Sequence, residues 1–134
     1  MRIGWLLIAC LALALTSSLP AQDKKADFPT RVKAMKGPFT LIVHFEVKKG
    51  EEGKVIEAAK PCIAATRKEK GCAGYELHQD AEEPAKFTFV EKWRSPEALL
   101  QHMEEEHTRK LLGVVEKAAA GPPKLLLAKS VDDR

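Results

Sequence analysis

The sequence lacks the features that mark membrane proteins, nucleic-acid-binding proteins and disordered chains. Its longest uninterrupted apolar run covers residues 5–15, which is too short to cross a bilayer as a helix. The 22 basic and 19 acidic residues leave a formal net charge of only +3, and this near-balance argues against nucleic acid as the main partner. A hydrophobic content of 45% excludes a disordered polyelectrolyte. The composition therefore predicts a globular protein.

The first residues have the composition of a secretory signal peptide. A short segment with one positive charge, Arg2, precedes the apolar run at 5–15, and mostly small residues follow up to Ala21. This order predicts a signal peptide over residues 1–21 with cleavage near Ala21, and hence an exported protein, periplasmic or secreted. After removal of that segment we expect no membrane span.

The rest of the chain is long enough for one domain and too short for two. Residues 22–37 are basic and show no clean periodicity, so we expect an N-terminal arm or tether. Alternating and helical hydrophobic patterns then fill residues 38–131, the predicted folded domain. Residues 132–134 form a short tail.

Only three cysteines occur, and one of them, Cys10, lies in the predicted signal peptide. Export would permit a disulfide between Cys62 and Cys72. Cys62, however, falls inside a predicted helix and Cys72 just beyond its end, so roughly 12 Å of helix separate them, whereas a disulfide needs Cα atoms within about 7 Å. The spacing therefore favours two free thiols.

The hydrophobic periodicity predicts seven elements in the order β-α-β-β-α-α-β. The first helix carries apolar residues at helical spacing from Val55 onwards and ends at Gly71, and Ser95-Pro96 begins the next one. A break near residues 106–107 divides this last segment into two helices. Strands are indicated where apolar and polar residues alternate, at 39–47, 73–79, 86–93 and 124–131. The order is that of the α+β ferredoxin-like fold, a split βαβ sheet with helices on one face.

Such a sheet has one face covered by helices and a second face that is open. The open face still carries apolar residues, such as Ile42, and a domain of this size has no further element to cover it. We therefore predict a homodimer in which the sheets of two subunits pack on one another.

Three consecutive segments resemble the antibiotic biosynthesis monooxygenase (ABM) family. Residues 69–80, EKGCAGYELHQD, are similar to that family's connection between the first helix and the second strand. Residues 87–95, FTFVEKWRS, resemble its third strand, and residues 98–107, ALLQHMEEEH, resemble the following helix with its paired histidines. The likeness extends in order and spacing over residues 39–131. It implies a dimeric α/β barrel.

Known members of this family include quinol monooxygenases, polyketide-tailoring oxygenases, an isomerase of a phosphorylated autoinducer sugar and haem-degrading enzymes. The resemblance to the oxygenases implies a direct reaction of molecular oxygen with a deprotonated phenolic substrate, without metal or flavin, so we expect no cofactor. In the haem-degrading enzymes the iron-ligating histidine falls at Leu112 of this sequence, and leucine cannot bind iron. No haem site of that type is therefore expected.

Glu91 and Trp93 are the first candidates for a site, because they share one face of the third strand with Phe87 and Phe89. Burial among aromatic rings would raise the pKa of the Glu91 carboxyl, which suits a catalytic base for a phenol. Trp93, together with Phe89 and Tyr75, is predicted to bind the ring of an aromatic substrate. The alternative is that Trp93 belongs only to the core and that Glu91 pairs with a lysine.

The four histidines are the other candidates. If the strand faces that carry His44 and His78 line the cavity, His78 would transfer a proton and His44 would bind substrate; otherwise both are surface or interface residues. The resemblance places His102 and His107 by the mouth of the substrate pocket, His102 as a binding residue and His107 as a catalytic one. The alternative for His107 is that it only ties down the helix bend. His102 and Glu106 would share a helix face, but this spacing matches no usual zinc motif, so we predict no metal site.

These features favour an exported, cofactor-independent monooxygenase that acts on a quinol-like or polyphenolic small molecule, with Glu91 or a histidine taking the phenolic proton. An isomerase or tautomerase of a small metabolite would use the same acid-base residues without oxygen. A dimer that binds a small ligand without catalysis is the third alternative.

Overall fold

The computed structural model describes residues 26–132. The predicted signal peptide, the first residues of the predicted arm and the last two residues of the tail lie outside this range. Within it, no helix is both long enough and apolar enough to cross a membrane.

The described chain folds into a four-stranded antiparallel sheet with helices on one face, which confirms the predicted ferredoxin-like α+β class. The predicted element order is also confirmed, with one additional helix at the N-terminus. The last strand ends at Ala128 and not at residue 131. The elements are α1 Phe28–Lys33, β1 Phe39–Glu46, α2 Glu52–Thr66, β2 Cys72–Gln79, β3 Lys86–Trp93, α3 Pro96–Glu104, α4 Glu106–Ala118 and β4 Lys124–Ala128.

The strands lie in the order β2-β3-β1-β4. Strand β3, which forms a hairpin with β2, therefore also pairs with β1. Leu41 of β1 and Tyr75 of β2 both lie opposite Glu91 of β3. Because side chains alternate between the two faces of a strand, these three residues point to the same face. All three are buried, and this is the face that the helices cover.

The opposite sheet face is open in the single chain. Its centre carries Ile42, which lies opposite Val90 on one side and Leu126 on the other. Leu126 is 52% exposed, and Ile42 and Val90 are half-buried. An apolar row therefore crosses three strands of a face that no element of the described chain covers.

The predicted N-terminal arm contains a short helix, α1, which corrects the expectation of a simple tether. Its first turn is capped by Asp27, whose carboxylate accepts hydrogen bonds from the backbone N–H and the hydroxyl of Thr30, both at 3.0 Å. Val32 is fully buried, and Phe28 and Met35 pack against the core. The sequence signal is weak, because the helix has six residues and only Phe28 and Val32 mark its buried side, with Met35 just beyond its end.

The helical segment after β3 breaks where the sequence predicts, although one residue earlier. Glu105 has extended backbone angles, φ −67° and ψ 145°, and it separates α3 from α4. His102 lies in the last turn of α3 and His107 in the first turn of α4. The break is therefore what allows two histidines five residues apart to approach one common partner.

Gly71 allows the loop before β2 to pack closely on α3. A Cβ atom added at this position would lie 2.2 Å from the Cβ of Ala98, well inside van der Waals contact. The carbonyl of Gly71 also accepts a hydrogen bond from the backbone N–H of Arg94 at 2.9 Å. Because Ala98 precedes His102 by one helical turn, this close approach also sets the distance between the loop and His102.

Both cysteines in the described range are free thiols, as their spacing predicts. Cys62 is buried in α2, with its sulfur 3.7 Å from the hydroxyl of Thr66, and Cys72 is half-buried at the start of β2.

Candidate functional site

A cavity of about 630 Å³ lies between the covered face of the sheet and the helices α1, α3 and α4. We call it the helix-covered cavity. Its volume suits a small organic molecule, and its walls are mostly aliphatic and aromatic. Only a few polar groups interrupt those walls. The residues that matter below are Phe28, Phe45, Tyr75, Phe89, Glu91, His102, Thr108 and Leu111.

Glu91 is the buried carboxyl group of this cavity, whose lining also includes the exposed Glu116. It comes from the middle of the covered face and is only 5% exposed. The indole N–H of Trp93 donates a hydrogen bond to its Oε2 at 3.0 Å. Burial raises the pKa of Glu91 to about 7, against the smaller opposing effect of the Trp93 bond. Glu91 is therefore poised to exchange a proton near neutral pH, as the sequence pattern predicts.

Trp93 is buried beneath residues of the cavity wall and does not itself line the cavity. The side chain is 1% exposed, and the residue is absent from the cavity lining. Its ring centroid lies 4.7 Å from that of His102, and its N–H is bound to Glu91. This corrects the expectation that Trp93 binds a substrate ring directly. The indole instead contacts both Glu91 and His102 and holds these two side chains in place.

His102 is the imidazole of the cavity, and a carboxylate fixes its orientation. It is 1% exposed, and its Nδ1 lies 2.9 Å from Oε1 of Glu69. A carboxylate only accepts hydrogen bonds, so Nδ1 carries the proton. In the neutral ring Nε2 then bears the lone pair, and the hydroxyl of Thr108 lies 3.2 Å from Nδ1 and 3.3 Å from Nε2. Burial lowers the pKa of His102 and so favours this neutral form.

His107 lies behind His102, on the same carboxylate. Its Nε2 is 2.7 Å from Oε1 of Glu69, and its ring centroid is 5.8 Å from that of His102. The side chain is 23% exposed, compared with 2% for His102, and it does not line the cavity. This corrects the predicted catalytic position of His107 at the pocket mouth, since the structure brings it to His102 only through Glu69. We refer to Glu69, His102 and His107 as the Glu69 cluster.

Aromatic rings connect the acid-base groups to the rest of the cavity. The ring centroid of Tyr75 lies 5.3 Å from that of Phe89 and 5.3 Å from that of His102. Phe45 stacks on Phe89 at 5.9 Å. Burial raises the pKa of Tyr75 far above its usual value, so its phenol stays neutral. Tyr75 and Phe89 both line the cavity, where the sequence analysis expects them to bind a ring.

His44 and His78 are not part of this cavity, which corrects their predicted position. Strand alternation places both on the open face, opposite the residues that face the helices. There Nδ1 of His44 is 2.8 Å from the hydroxyl of Thr88, and Nε2 of His78 is 3.1 Å from Oε2 of Glu76. They line a separate groove of about 770 Å³. Although this groove is larger, its histidines are exposed and cannot act together with Glu91.

Sequence reasoning missed three residues of the site: Glu69, Thr108 and Phe28. Glu69 follows the C-terminal end of α2, where the helix dipole disfavours a negative charge. This unfavourable position is the local feature of the sequence that could have indicated a functional role for Glu69. Thr108 approaches His102 only because the chain breaks at Glu105. Phe28 comes from the N-terminal arm, for which no packing is expected.

The Glu69 cluster is also a group of side chains that could hold a metal ion. One candidate ligand atom from each residue lies within 4.8 Å of the other two. The sequence-based expectation of no metal site considered only residues close in sequence on one helix. Glu69 stands 33 residues before His102 and therefore belongs to no such local motif.

The pKa of Glu91 predicts a pH dependence of folding stability. A buried carboxyl whose pKa is raised from 4.5 to about 7 binds its proton more tightly in the folded state. Its contribution to the free energy of unfolding is therefore present in acid and is lost as the pH rises through this interval, by about 1.4 kcal/mol per pH unit at most. We expect wild type to lose stability relative to Glu91→Gln between about pH 5 and pH 7, and the difference to level off above.

Urea unfolding at a series of pH values measures this difference. Glu57→Gln is the matched control, because that carboxylate is 71% exposed and pairs only with Lys60. A stability difference between wild type and Glu91→Gln that does not change with pH would contradict the buried, proton-binding state of Glu91.

Comparison with known proteins agrees with the fold and the segments described above. Residues 38–112, more than half of the chain, match the family model for antibiotic biosynthesis monooxygenase. No curated protein sequence matches the chain.

Several solved structures share the fold. A Nitrosomonas europaea protein provisionally assigned to the antibiotic biosynthesis monooxygenases has a TM-score of 0.68 and 21% identity, over 72% of this chain and 94% of that one. A Pseudomonas aeruginosa protein has a TM-score of 0.66 and 28% identity, over 72% and 97%. A Bacteroides thetaiotaomicron protein of unknown function, described as a possible oxidoreductase, has a TM-score of 0.63 and 28% identity, over 69% and 97%. The chain therefore belongs to the antibiotic biosynthesis monooxygenase family.

Proposed function

We propose that the protein is a monooxygenase that oxidises a quinol-like or polyphenolic small molecule in the helix-covered cavity. The observation that carries the proposal is the pair of acid-base groups, Glu91 and His102, in the wall of an otherwise apolar and aromatic cavity. Membership of the family supports the reaction class. The aromatic lining favours a flat, ring-shaped substrate.

His102 is the proposed base. Its Nδ1 proton is held by Glu69, so Nε2 carries the lone pair to which we assign the phenolic proton, and His102 lines the cavity. Loss of that proton makes the substrate an electron-rich phenolate, which donates electrons to oxygen without another reductant. Glu91, with its pKa of about 7, accepts the second phenolic proton in its ionised form. The apolar walls exclude water from the reactive anion.

The reaction balances without an external electron donor. A hydroquinone and one oxygen molecule give a hydroxyquinone and one water. One C–H bond, the two phenolic O–H bonds and the O–O bond break. One C–O bond, the O–H bond of the new hydroxyl group and the two O–H bonds of water form. The substrate loses four electrons and the oxygen molecule gains them, one oxygen atom entering the product and the other leaving as water.

Oxygen uptake by the purified chain with a panel of hydroquinones tests the proposal. We expect uptake above the autoxidation blank and a fall of at least about 100-fold in His102→Gln, since this variant lacks the base. Glu91→Gln is expected to lower the rate as well. His78→Gln is the matched control, because this histidine lies in the separate groove of the open face.

Each other outcome of the oxygen-uptake assay points away from the proposal. Substrate conversion without oxygen uptake would indicate an isomerase or tautomerase, and binding without turnover would indicate a ligand-binding protein. Equal rates in wild type and His102→Gln would exclude His102 as the base.

We further propose that the protein is a homodimer that joins through the open sheet faces. The apolar row of Ile42, Val90 and Leu126 supports this, since it crosses the centre of the face and ends at an exposed leucine. The pairing of His44 with Thr88 beside this row leaves polar groups at its margin.

A single charge in this row is expected to separate the subunits, because it would be buried without a partner. Val90→Glu should therefore run as a monomer in size-exclusion chromatography with light scattering, whereas wild type runs as a dimer. Val131→Glu makes the same change at a valine that is 72% exposed beyond β4, and it should remain dimeric. A wild-type chain that stays monomeric at all concentrations would contradict the proposal.

We also propose that the protein acts outside the cytoplasm. The charged start, apolar run and small-residue stretch of residues 1–21 support this. In that compartment the protein would meet phenolic molecules from the surroundings of the cell.

A further inference from the structure

We propose that Glu69, His102 and His107 also bind a divalent transition-metal ion such as Zn²⁺, and that the bound ion switches off His102 as a base. Two imidazole nitrogens and one carboxylate oxygen are a ligand set that first-row transition metals accept. Local sequence spacing does not reveal this set, because α3, α4 and the loop after α2 each contribute one member.

The distances in the Glu69 cluster suit an ion after a small adjustment. Oε1 of Glu69 lies 2.9 Å from Nδ1 of His102 and 2.7 Å from Nε2 of His107. Ligands around a tetrahedral zinc ion, with bonds of about 2.0 Å, stand about 3.3 Å apart. Each of the two Glu69–histidine pairs therefore has to open by about half an ångström, and the two imidazole nitrogens, which lie within 4.8 Å of each other, have to reach the same spacing. Rotation of the partly exposed Glu69 and His107 side chains allows this adjustment.

The surroundings of the cluster allow an ion to enter and to be held. The side chains of Glu69 and His107 are 20% and 23% exposed, so solvent reaches two of the three ligands. His102 is buried and packs against the rings of Trp93 and Tyr75, which keep the third ligand in a fixed orientation. Both hydrogen bonds use Oε1, and Oε2 of Glu69 remains available to a bound ion.

Metal binding would change the tautomer of His102. An ion on Nδ1 takes the lone pair of that nitrogen, and the neutral ring then carries its proton on Nε2. Nε2 would become a donor toward the cavity and could no longer accept a phenolic proton. The binding claim stands by itself, whereas the loss of activity rests on the function proposed above.

Calorimetric titration with zinc chloride tests the site. The chain is purified without a histidine tag, stripped with a chelator and compared with Glu69→Gln, His107→Gln and His78→Gln. We expect one ion per chain in wild type, and affinity at least about tenfold weaker in Glu69→Gln and His107→Gln. His78→Gln should bind like wild type, although it removes a surface histidine that is 3.1 Å from the carboxylate of Glu76.

No binding by wild type, or equal affinity in all four chains, would overturn the metal site. Circular dichroism of the metal-free chains verifies that each variant is folded, and His107 is exposed enough for its replacement to be tolerated. Calorimetry measures zinc binding and not turnover. It therefore tests the proposed metal site even if no oxygenase activity is found. In the oxygen-uptake assay, unchanged rates for zinc-loaded wild type would overturn the coupling between the ion and His102.

Discussion

The carboxylate of Glu69 is the interaction on which the rest of the site depends. One oxygen accepts hydrogen bonds from two imidazoles that lie on different helices, and so joins the loop after α2 to α3 and α4. The break at Glu105 and the close approach of Gly71 to Ala98 make this arrangement possible. Without Glu69 the proton of His102 would have no fixed position, and the polar side of the cavity would have no defined donor and acceptor.

Two ionisable groups of the cavity, Glu91 and His102, have different surroundings and therefore different protonation behaviour. Glu91 is buried with a single indole N–H as its partner, and its pKa is raised into the neutral range. His102 is also buried, and burial lowers its pKa and favours the neutral ring against the opposing effect of Glu69, whose carboxylate fixes the tautomer. Trp93 contacts both groups and thereby fixes their separation. A base with a free lone pair and an acid that titrates near neutral pH therefore face the same apolar space, which is what proton removal from a phenol requires.

The alternation of β3 was sufficient to predict that Glu91, Phe89 and Trp93 share one buried face, because a strand has a fixed period of two residues. The same alternation in β1 and β2 places the side chains of His44 and His78 on the opposite, open face of the sheet. The sequence could not show that Trp93 is buried beneath the cavity wall. Strand alternation predicts which face of the sheet a side chain is on, but not whether that side chain reaches the cavity. Nor could it show Glu69 beside His102, because that contact joins positions 33 residues apart and depends on a helix break.

The predicted arm illustrates a second limit of sequence reasoning. Six residues, of which only Phe28 and Val32 pack against the core, form a helix here because these two side chains find a surface to pack on. Tertiary packing, and not local propensity, decides such short helices. The consequence for the site is direct, because Phe28 closes part of the cavity wall.

The most direct test of the account is the tautomer of His102, read from the imidazole nitrogen signals of ¹⁵N-labelled, metal-free protein by NMR. The account predicts a neutral ring at neutral pH with its proton on Nδ1 and a bare Nε2, and a change of these signals in Glu69→Gln but not in Glu57→Gln. A proton on Nε2, or a doubly protonated ring at neutral pH, would contradict the role of Glu69 and of His102 as the base.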